Sequence, residues 1–183
     1  MGTMIETERL ILRQWLEEDA EVLYRYASNP KVGPIAGWPS HTSVANSLEI
    51  IRTVFAAPEV YAITLKATGE PIGSCGIMFA EGMHSARMHS SEAEIGYWVG
   101  VPHWGKGYTP EAVRALMERA FNELGVTALW IGYYEGNEQS RRVAEKCGFK
   151  YHHTEDDNTS PLGDVRTEHF TRITKKEFEN KKR

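Results

Sequence analysis

Cysteine is scarce in this chain: Cys75 and Cys147 are the only two among 183 residues, and they are far apart with no CxxC spacing. That pattern excludes a disulfide framework and a cysteine-held zinc site, so both read as reduced core thiols and no metal site is expected. No apolar run approaches the ~18 residues of a membrane-spanning helix, which argues against a membrane partner. The N-terminus lacks a basic patch followed by an apolar core and a cleavage site, so a cytoplasmic location is expected. Positive charge is not in excess either: Lys and Arg total 21 against 25 Asp and Glu, for a net charge of −4 and an isoelectric point near 6.0. Nucleic-acid binding would call for a basic face, and none is expected here. Repeats, linkers and low-complexity segments are missing as well. What remains, with 41% hydrophobic and 25% charged residues, is one globular domain over 1–183 with a sizeable core.

Periodicity supplies the elements. Leu10 to Arg13 alternates like a strand, and Asp19 to Ala27 switches to helical spacing before Asn29-Pro30 ends it. Leu48, Ile51 and Phe55 recur at helical steps, predicting a second helix over 43–56 that stops at Ala57-Pro58. VYAITLK and PIGSCGIMF, joined by ATGEP, form a hairpin, and EAEIGYWV at 92–99 is a further strand. The polar segment 81–91 reads as a mobile loop. Val113, Leu116, Met117, Ala120, Phe121 and Leu124 line a helix that stops at Gly125. VTALWIGYY is a strand, Glu138 to Cys147 a helix capped by Asn137, and Phe149–His153 and 165–173 are the last strands. The terminal KKEFENKKR reads as a charged, solvated end. The order β α α β β β α β α β β predicts a mixed sheet with helices on its faces.

The most pointed local feature is WGKGYTPEA at 104–112. Gly105 and Gly107 leave the backbone open to a ligand, and Thr109 before Pro110 and Glu111 looks like a helix cap. A helix start of this kind presents free N–H groups and a positive dipole end to an anion. A plain tight turn ahead of a well-capped helix reads the same way. The Walker pattern GxxxxGK[ST] is absent, and Pro110 breaks GxGxxG.

Four blocks in order, TERLILRQWLEEDAEVLY at 7–24, AEIGYWV at 93–99, WGKGYTPEA at 104–112 and NEQSRRVAEKCGF at 137–149, resemble the GNAT N-acetyltransferase superfamily, in its ribosomal-protein (RimJ/RimL-like) branch. The resemblance implies an α/β fold with a mostly antiparallel mixed sheet of about six to seven strands and about four helices. It implies acetyl-CoA as cosubstrate, with Gly105, Lys106, Gly107, Tyr108, Thr109 and Pro110 cradling the pyrophosphate. Trp104 stands where the family pattern has Gln or Arg, and Thr109 replaces a smaller residue. Backbone groups of Trp98 and Val99 are expected along the pantetheine in a gap beside their strand, and Asn137 is expected to touch the cofactor or merely cap its helix.

Acetylating an amine needs a base, a polarised carbonyl and a proton for the leaving thiolate. Glu94 matches a strand glutamate that is the base in some members, and Glu92 is the fallback. The tyrosine that many members place on the last block's helix as general acid falls on Ala144, leaving Ser140 as the candidate. Cys147 reads as core rather than nucleophile, so direct transfer is expected. Trp38, His84 and His89 are candidate acceptor contacts; Arg141, Arg142 and Lys146 either reach the cofactor's adenosine phosphate or form a charged helix face. The acceptor is a protein N-terminus or a small-molecule amine, a homodimer follows by family habit, and the rival function is a non-catalytic acyl-CoA-binding module.

Overall fold

The computed structural model describes residues 3–79 and 82–181. Its strands are β1 (Ile5–Glu6), β2 (Leu10–Arg13), β3 (Val60–Leu65), β4 (Pro71–Phe79), β5 (Ala93–Val99), β6 (Ala128–Tyr134), β7 (Lys150–Thr159) and β8 (Val165–Thr174). They make one eight-stranded sheet in the order β1-β2-β3-β4-β5-β6-β8-β7. Every neighbouring pair is antiparallel except β5 with β6, which run parallel. Helices α1 (Ala20–Ala27) and α2 (Val44–Arg52) cover one face, while α3 (Tyr108–Asn122), α4 (Glu138–Lys146) and α5 (Lys175–Asn180) go with the other.

The sheet is sealed on both sides by side chains of alternating strand positions. Leu12, Ile63, Cys75, Ile95, Leu129 and Ile173 meet Val113, Leu116, Ala120 and Phe121 of α3 in the larger core. Trp15, Leu23, Ala27, Ile51 and Ala62 form the smaller core beneath α1 and α2, where the Trp15 indole donates to Ser74 Oγ at 3.1 Å. A third cluster, Trp130 and Phe170 with Met88, lies under the loop that joins β4 to β5. Both thiols are buried. Burial raises the Cys147 thiol to about 11, which keeps it protonated and supports its role as core.

Several boundaries differ from the expected ones. α2 ends at Arg52 rather than near 56, because residues after Thr53 turn under Phe55 instead of continuing the ladder. β7 runs to Thr159, six residues past the expected end at His153, through a polar stretch that no hydrophobic alternation announces, and is held by pairing with β8 around two irregularities. The two-residue β1 is too short to show periodicity. The expected solvated tail is α5: Thr174 and Glu177 form a capping box, and Phe178 is buried with its ring 5.0 Å from that of Phe121. Replacing Phe178 by alanine should therefore lower unfolding stability by about 3 kcal/mol. A urea midpoint equal to the wild-type value would show that α5 does not dock.

Candidate active site

β5 and β6 begin as neighbours and then part. Their hydrogen-bonded register covers only Ala93↔Leu129 and Glu94↔Trp130, yet β5 continues to Val99 and β6 to Tyr134. The two strands diverge with the same tripeptide, Ile95-Gly96-Tyr97 facing Ile131-Gly132-Tyr133. Between them opens a cleft of about 480 Å³, which runs from the start of α3 past α4 to the loop between α1 and α2. Gly100 N–H donates to the Ile72 carbonyl at 2.8 Å, and the register pairs Ser74 with Trp98 and Gly73 with Val99. Bonded pairs alternate in an antiparallel ladder, so Trp98 turns its backbone groups toward β4 while Tyr97 and Val99 turn theirs into the seam. The Val99 carbonyl already accepts from the Trp104 indole at 2.9 Å. Trp98 thus lines the cleft through its side chain, packed 5.5 Å from Trp38, and it is Tyr97 rather than Trp98 whose backbone groups face the seam.

At the mouth of the seam stands the glycine-rich loop. Gly105 and Gly107 have φ of 72° and 78°, the left-handed region that favours glycine. Gly107 itself precedes the first turn of α3, without a side-chain cap. The helix therefore starts at Tyr108, one residue ahead of the expected Thr109 cap. Pro110 has no N–H to leave unpaired, and Glu111 N–H closes the first helical bond onto the Gly107 carbonyl at 3.2 Å. The amides of Tyr108 and Thr109 are the open donors of this turn. Arg9 secures the loop from below: its guanidinium donates to the Lys106 carbonyl at 2.9 Å and to Glu111 Oε2 at 2.7 Å, and stacks 4.6 Å from the Tyr108 ring. Thr7 Oγ1 adds a bond to Glu111 Oε1 at 2.6 Å. The Lys106 side chain is exposed and does not line the cleft.

The α4 wall is polar. Asn137 Oδ1 accepts from Ser140 N–H at 3.2 Å as the helix cap, while the Tyr97 hydroxyl lies 2.9 Å from Ser140 Oγ. Burial holds the Tyr97 phenol above its ordinary pKa, against the opposing pull of Ser140, so it stays protonated. Ala144, where a tyrosine was sought, is fully buried in the core. A phenol does reach this wall, but it comes from β5.

The opposite end of the cleft is acidic. Glu94, on β5, is 2% exposed; its Oε1 lies 2.8 Å from His84 Nδ1 and its Oε2 accepts His84 N–H at 2.9 Å. That carboxylate raises the His84 imidazole to about 9, despite partial desolvation. Glu168, on β8, is also buried, and the polar ends of His84, Glu94 and Glu168 lie within 4.8 Å of one another. Burial pushes the Glu168 carboxyl above the usual range. Because His84 gains its proton affinity on folding, its contribution is complete below pH 6.5 and declines as pH rises through about 9. Thermal midpoints should therefore fall across that window in the wild type and flatten in His84→Gln. Identical slopes would mean that the imidazolium does not tie down this loop.

Residues 9–150 match the Acetyltransferase (GNAT) domain family. The chain belongs to the GNAT acetyltransferases. An uncharacterized N-acetyltransferase of Bacillus subtilis, YoaA, is 30% identical over 155 residues, spanning 82% of this chain and 84% of that protein. A GNAT-family acetyltransferase from Bacillus anthracis superposes with a TM-score of 0.80 at 22% identity, covering 95% of this chain and 99% of that one. The aminoglycoside acetyltransferase AAC(6')-Ib, solved with ribostamycin and coenzyme A, gives 0.75 at 24% identity, covering 96% and 99%.

Within this GNAT chain, Gly105, Gly107, Tyr108, Thr109, Pro110, Asn137, Ser140, Trp98, Val99, Trp38, His84 and Glu94 all border one cleft. His89 does not: it is exposed, and its N–H donates to Glu92 at 3.2 Å on the far side of the β4–β5 loop. Glu92 is also withdrawn, sealed against Arg172 and the Trp130 indole, which donates at 2.7 Å. Burial alone would raise its carboxyl, but Arg172, Trp130 and the His89 amide hold it below the ordinary range. Of the charged α4 residues, Arg142 and Lys146 border the cleft, whereas Arg141 is spent on Glu138 and Glu145 at 3.4 and 3.1 Å. Sequence reasoning missed Arg9, Tyr97 and Glu168. The repeated Ile-Gly-Tyr was the available signal for the seam, since matched glycines on parallel neighbours mark a close approach.

Proposed function

We propose that this GNAT protein moves the acetyl group of acetyl-CoA directly onto a primary amine. The observation that carries the reading is the early end of β5–β6 pairing beside a loop with two left-handed glycines. A strand edge with unpaired backbone groups suits an amide-containing ligand, because the ligand can complete the ladder. The open amides at the start of α3 suit its pyrophosphate. The fit extends to size: no Cβ blocks Gly105, which has no heavy atom within 4 Å of the position one would occupy.

Acetyl-CoA, when bound, supplies the acyl thioester. Gly105, Gly107, Tyr108 and Thr109 would hold its phosphates, with Asn137, Arg142 and Lys146 along the α4 side. Backbone groups of Tyr97 and Val99 would hold the chain leading to the acetyl group. Ser140 and the Tyr97 phenol share a hydroxyl pair at the seam, a proton source for the departing thiolate. The buried thiols take no part, in keeping with transfer in one step. Glu94 and Glu168 with Trp38 and Trp98 make the acceptor end anionic and aromatic, which favours a cationic amine. Both a peptide N-terminus and a small-molecule amine meet that description.

Thiol release from acetyl-CoA decides the matter, measured with spermidine, ribostamycin and the tripeptide Ser-Ala-Ala as acceptors. Release well above hydrolysis with at least one amine is expected. Tight acetyl-CoA binding with no acceptor-dependent release would instead favour a non-catalytic acyl-CoA-binding module.

A further inference from the structure

We propose that Glu168, rather than Glu94, takes the proton from the acceptor ammonium, with Glu94 acting as a positioning residue locked by His84. The assignment rests on the acetyl-transfer reading above. Its first support is occupancy. Both oxygens of Glu94 are engaged by one residue, Oε1 with His84 Nδ1 and Oε2 with His84 N–H. With an imidazolium beside it, Glu94 is half of an ion pair whose two oxygens are both already occupied. Glu168 differs: its Oε2 accepts from Asn158 Nδ2 at 3.0 Å, and Oε1 lies over Gly132.

The second support is topology. β6 stands between β5 and β8, so a β8 side chain reaches the seam only by crossing β6. It crosses at Gly132. A Cβ built there would sit 2.8 Å from Glu168 Oε1 and 3.0 Å from the Phe170 ring, so the missing side chain is the passage through which the carboxylate meets Glu94 and His84. Gly132 has no positive φ, hence glycine is not needed there for its backbone. The space is the reason for it.

The third support is charge. Around Glu168 stand His84 from the β4–β5 loop, Glu94 from β5, Tyr134 from β6, and Glu155 and Asn158 from β7. With His84 protonated and both Glu94 and Glu168 ionised, this core of the cleft carries one unmatched negative charge, which an arriving ammonium neutralises. Desolvation raises the Glu168 carboxyl, against the opposing pull of the Asn158 amide and His84 and with a smaller push from Glu94 and Glu155, moving it toward the range in which a base works near neutral pH. In the step itself the N–H bond of the ammonium breaks and its electron pair stays on nitrogen. The proton goes to Glu168 Oε1, the nitrogen pair forms the C–N bond, the C–S bond opens to thiolate, and the second proton of the attacking nitrogen, lost as the amide forms, reaches the sulfur through the Ser140–Tyr97 hydroxyl pair. The proton on Glu168 then leaves to solvent with the product.

The test uses the fastest acceptor among spermidine, ribostamycin and Ser-Ala-Ala. Glu168→Gln should lower kcat about 100-fold or more and abolish the acidic limb of the kcat profile, with the acetyl-CoA Kd unchanged within about twofold. Glu94→Gln should keep that limb and mainly raise the acceptor KM. Gly132→Ala, which displaces the Glu168 carboxylate without removing it, should give an intermediate loss in kcat and a shifted limb. A Glu168→Gln enzyme with wild-type kcat and an intact limb overturns the assignment while leaving acetyl transfer standing. If the wild-type enzyme acetylates none of the three amines, the acetyl-transfer reading fails and the base assignment falls with it. A merely structural Glu168 would lower the thermal midpoint and leave the limb in place, which also overturns it.

Discussion

Replacing Gly107 by valine should weaken acetyl-CoA binding by about 100-fold, read by calorimetric titration. At φ 78° the residue holds a conformation that costs a side-chain-bearing residue about 1–2 kcal/mol, and a β-branched one more. The substitution is not a packing defect, since a Cβ there would meet only Arg9 Nη2, at 3.4 Å. Its effect is to turn the next two amides, Tyr108 and Thr109, away from a common point. Each amide bond to a charged phosphate contributes about 1.5–3 kcal/mol, so spoiling even one or two of them gives the stated loss. Gly105→Ala, at φ 72° with open space around it, should give a smaller loss of the same sign. Undiminished affinity in both variants would detach this loop from nucleotide binding.

Glu92→Ala should cost about 3–5 kcal/mol of folding stability while leaving cofactor affinity untouched. The carboxylate is 3% exposed and serves Arg172, the Trp130 indole and the His89 amide. Removing it strands the buried Trp130 indole donor and leaves the partly buried Arg172 guanidinium without its carboxylate. Glu92→Gln retains an acceptor for Trp130 and His89 and should cost less. The pH dependence has a definite sign. The folded carboxyl is held below its ordinary 4.5, so its stabilisation is complete above that value and is lost as pH falls beneath it. Urea midpoints below pH 4.5 should therefore drop more steeply in the wild type than in Glu92→Gln. A neutral effect of Glu92→Ala at pH 7 would remove the residue from the core and return it to consideration as a base.

Glu92 and Glu94 also mark how far a sequence can be read. Two glutamates two positions apart share a strand face, and nothing local distinguishes a structural one from one in a cleft. Their fates are decided by Arg172 and by His84, partners from β8 and from a loop. Elements with strong periodicity, such as β3, β4 and α3, were legible because burial is written into their spacing. The glycine-rich loop was legible as a helix start, but its cap was misplaced by two residues, Thr109 for Gly107, since Gly107 adopts a conformation that a residue list does not display. Thr174-Lys-Lys-Glu177 carries the capping-box pattern in plain view, and its charges masked it. Glu168 was not legible at all. Nothing in its strand's own pattern singles it out, and its meaning depends on a glycine 36 residues earlier on the neighbouring one.

The Arg9 clamp has a consequence for the order of events in folding. Arg9 and Glu111 are separated by 102 positions, and the loop they brace is completed only when the second strand has already joined the sheet beside α3. Contacts of such long range are slow to form, because the intervening chain must be closed first. The glycine-rich loop is thus one of the late pieces to acquire its shape, although its motif is local. Affinity for acetyl-CoA in a refolding experiment would then report on the docking of the amino-terminal strand, at the opposite end of the chain's construction.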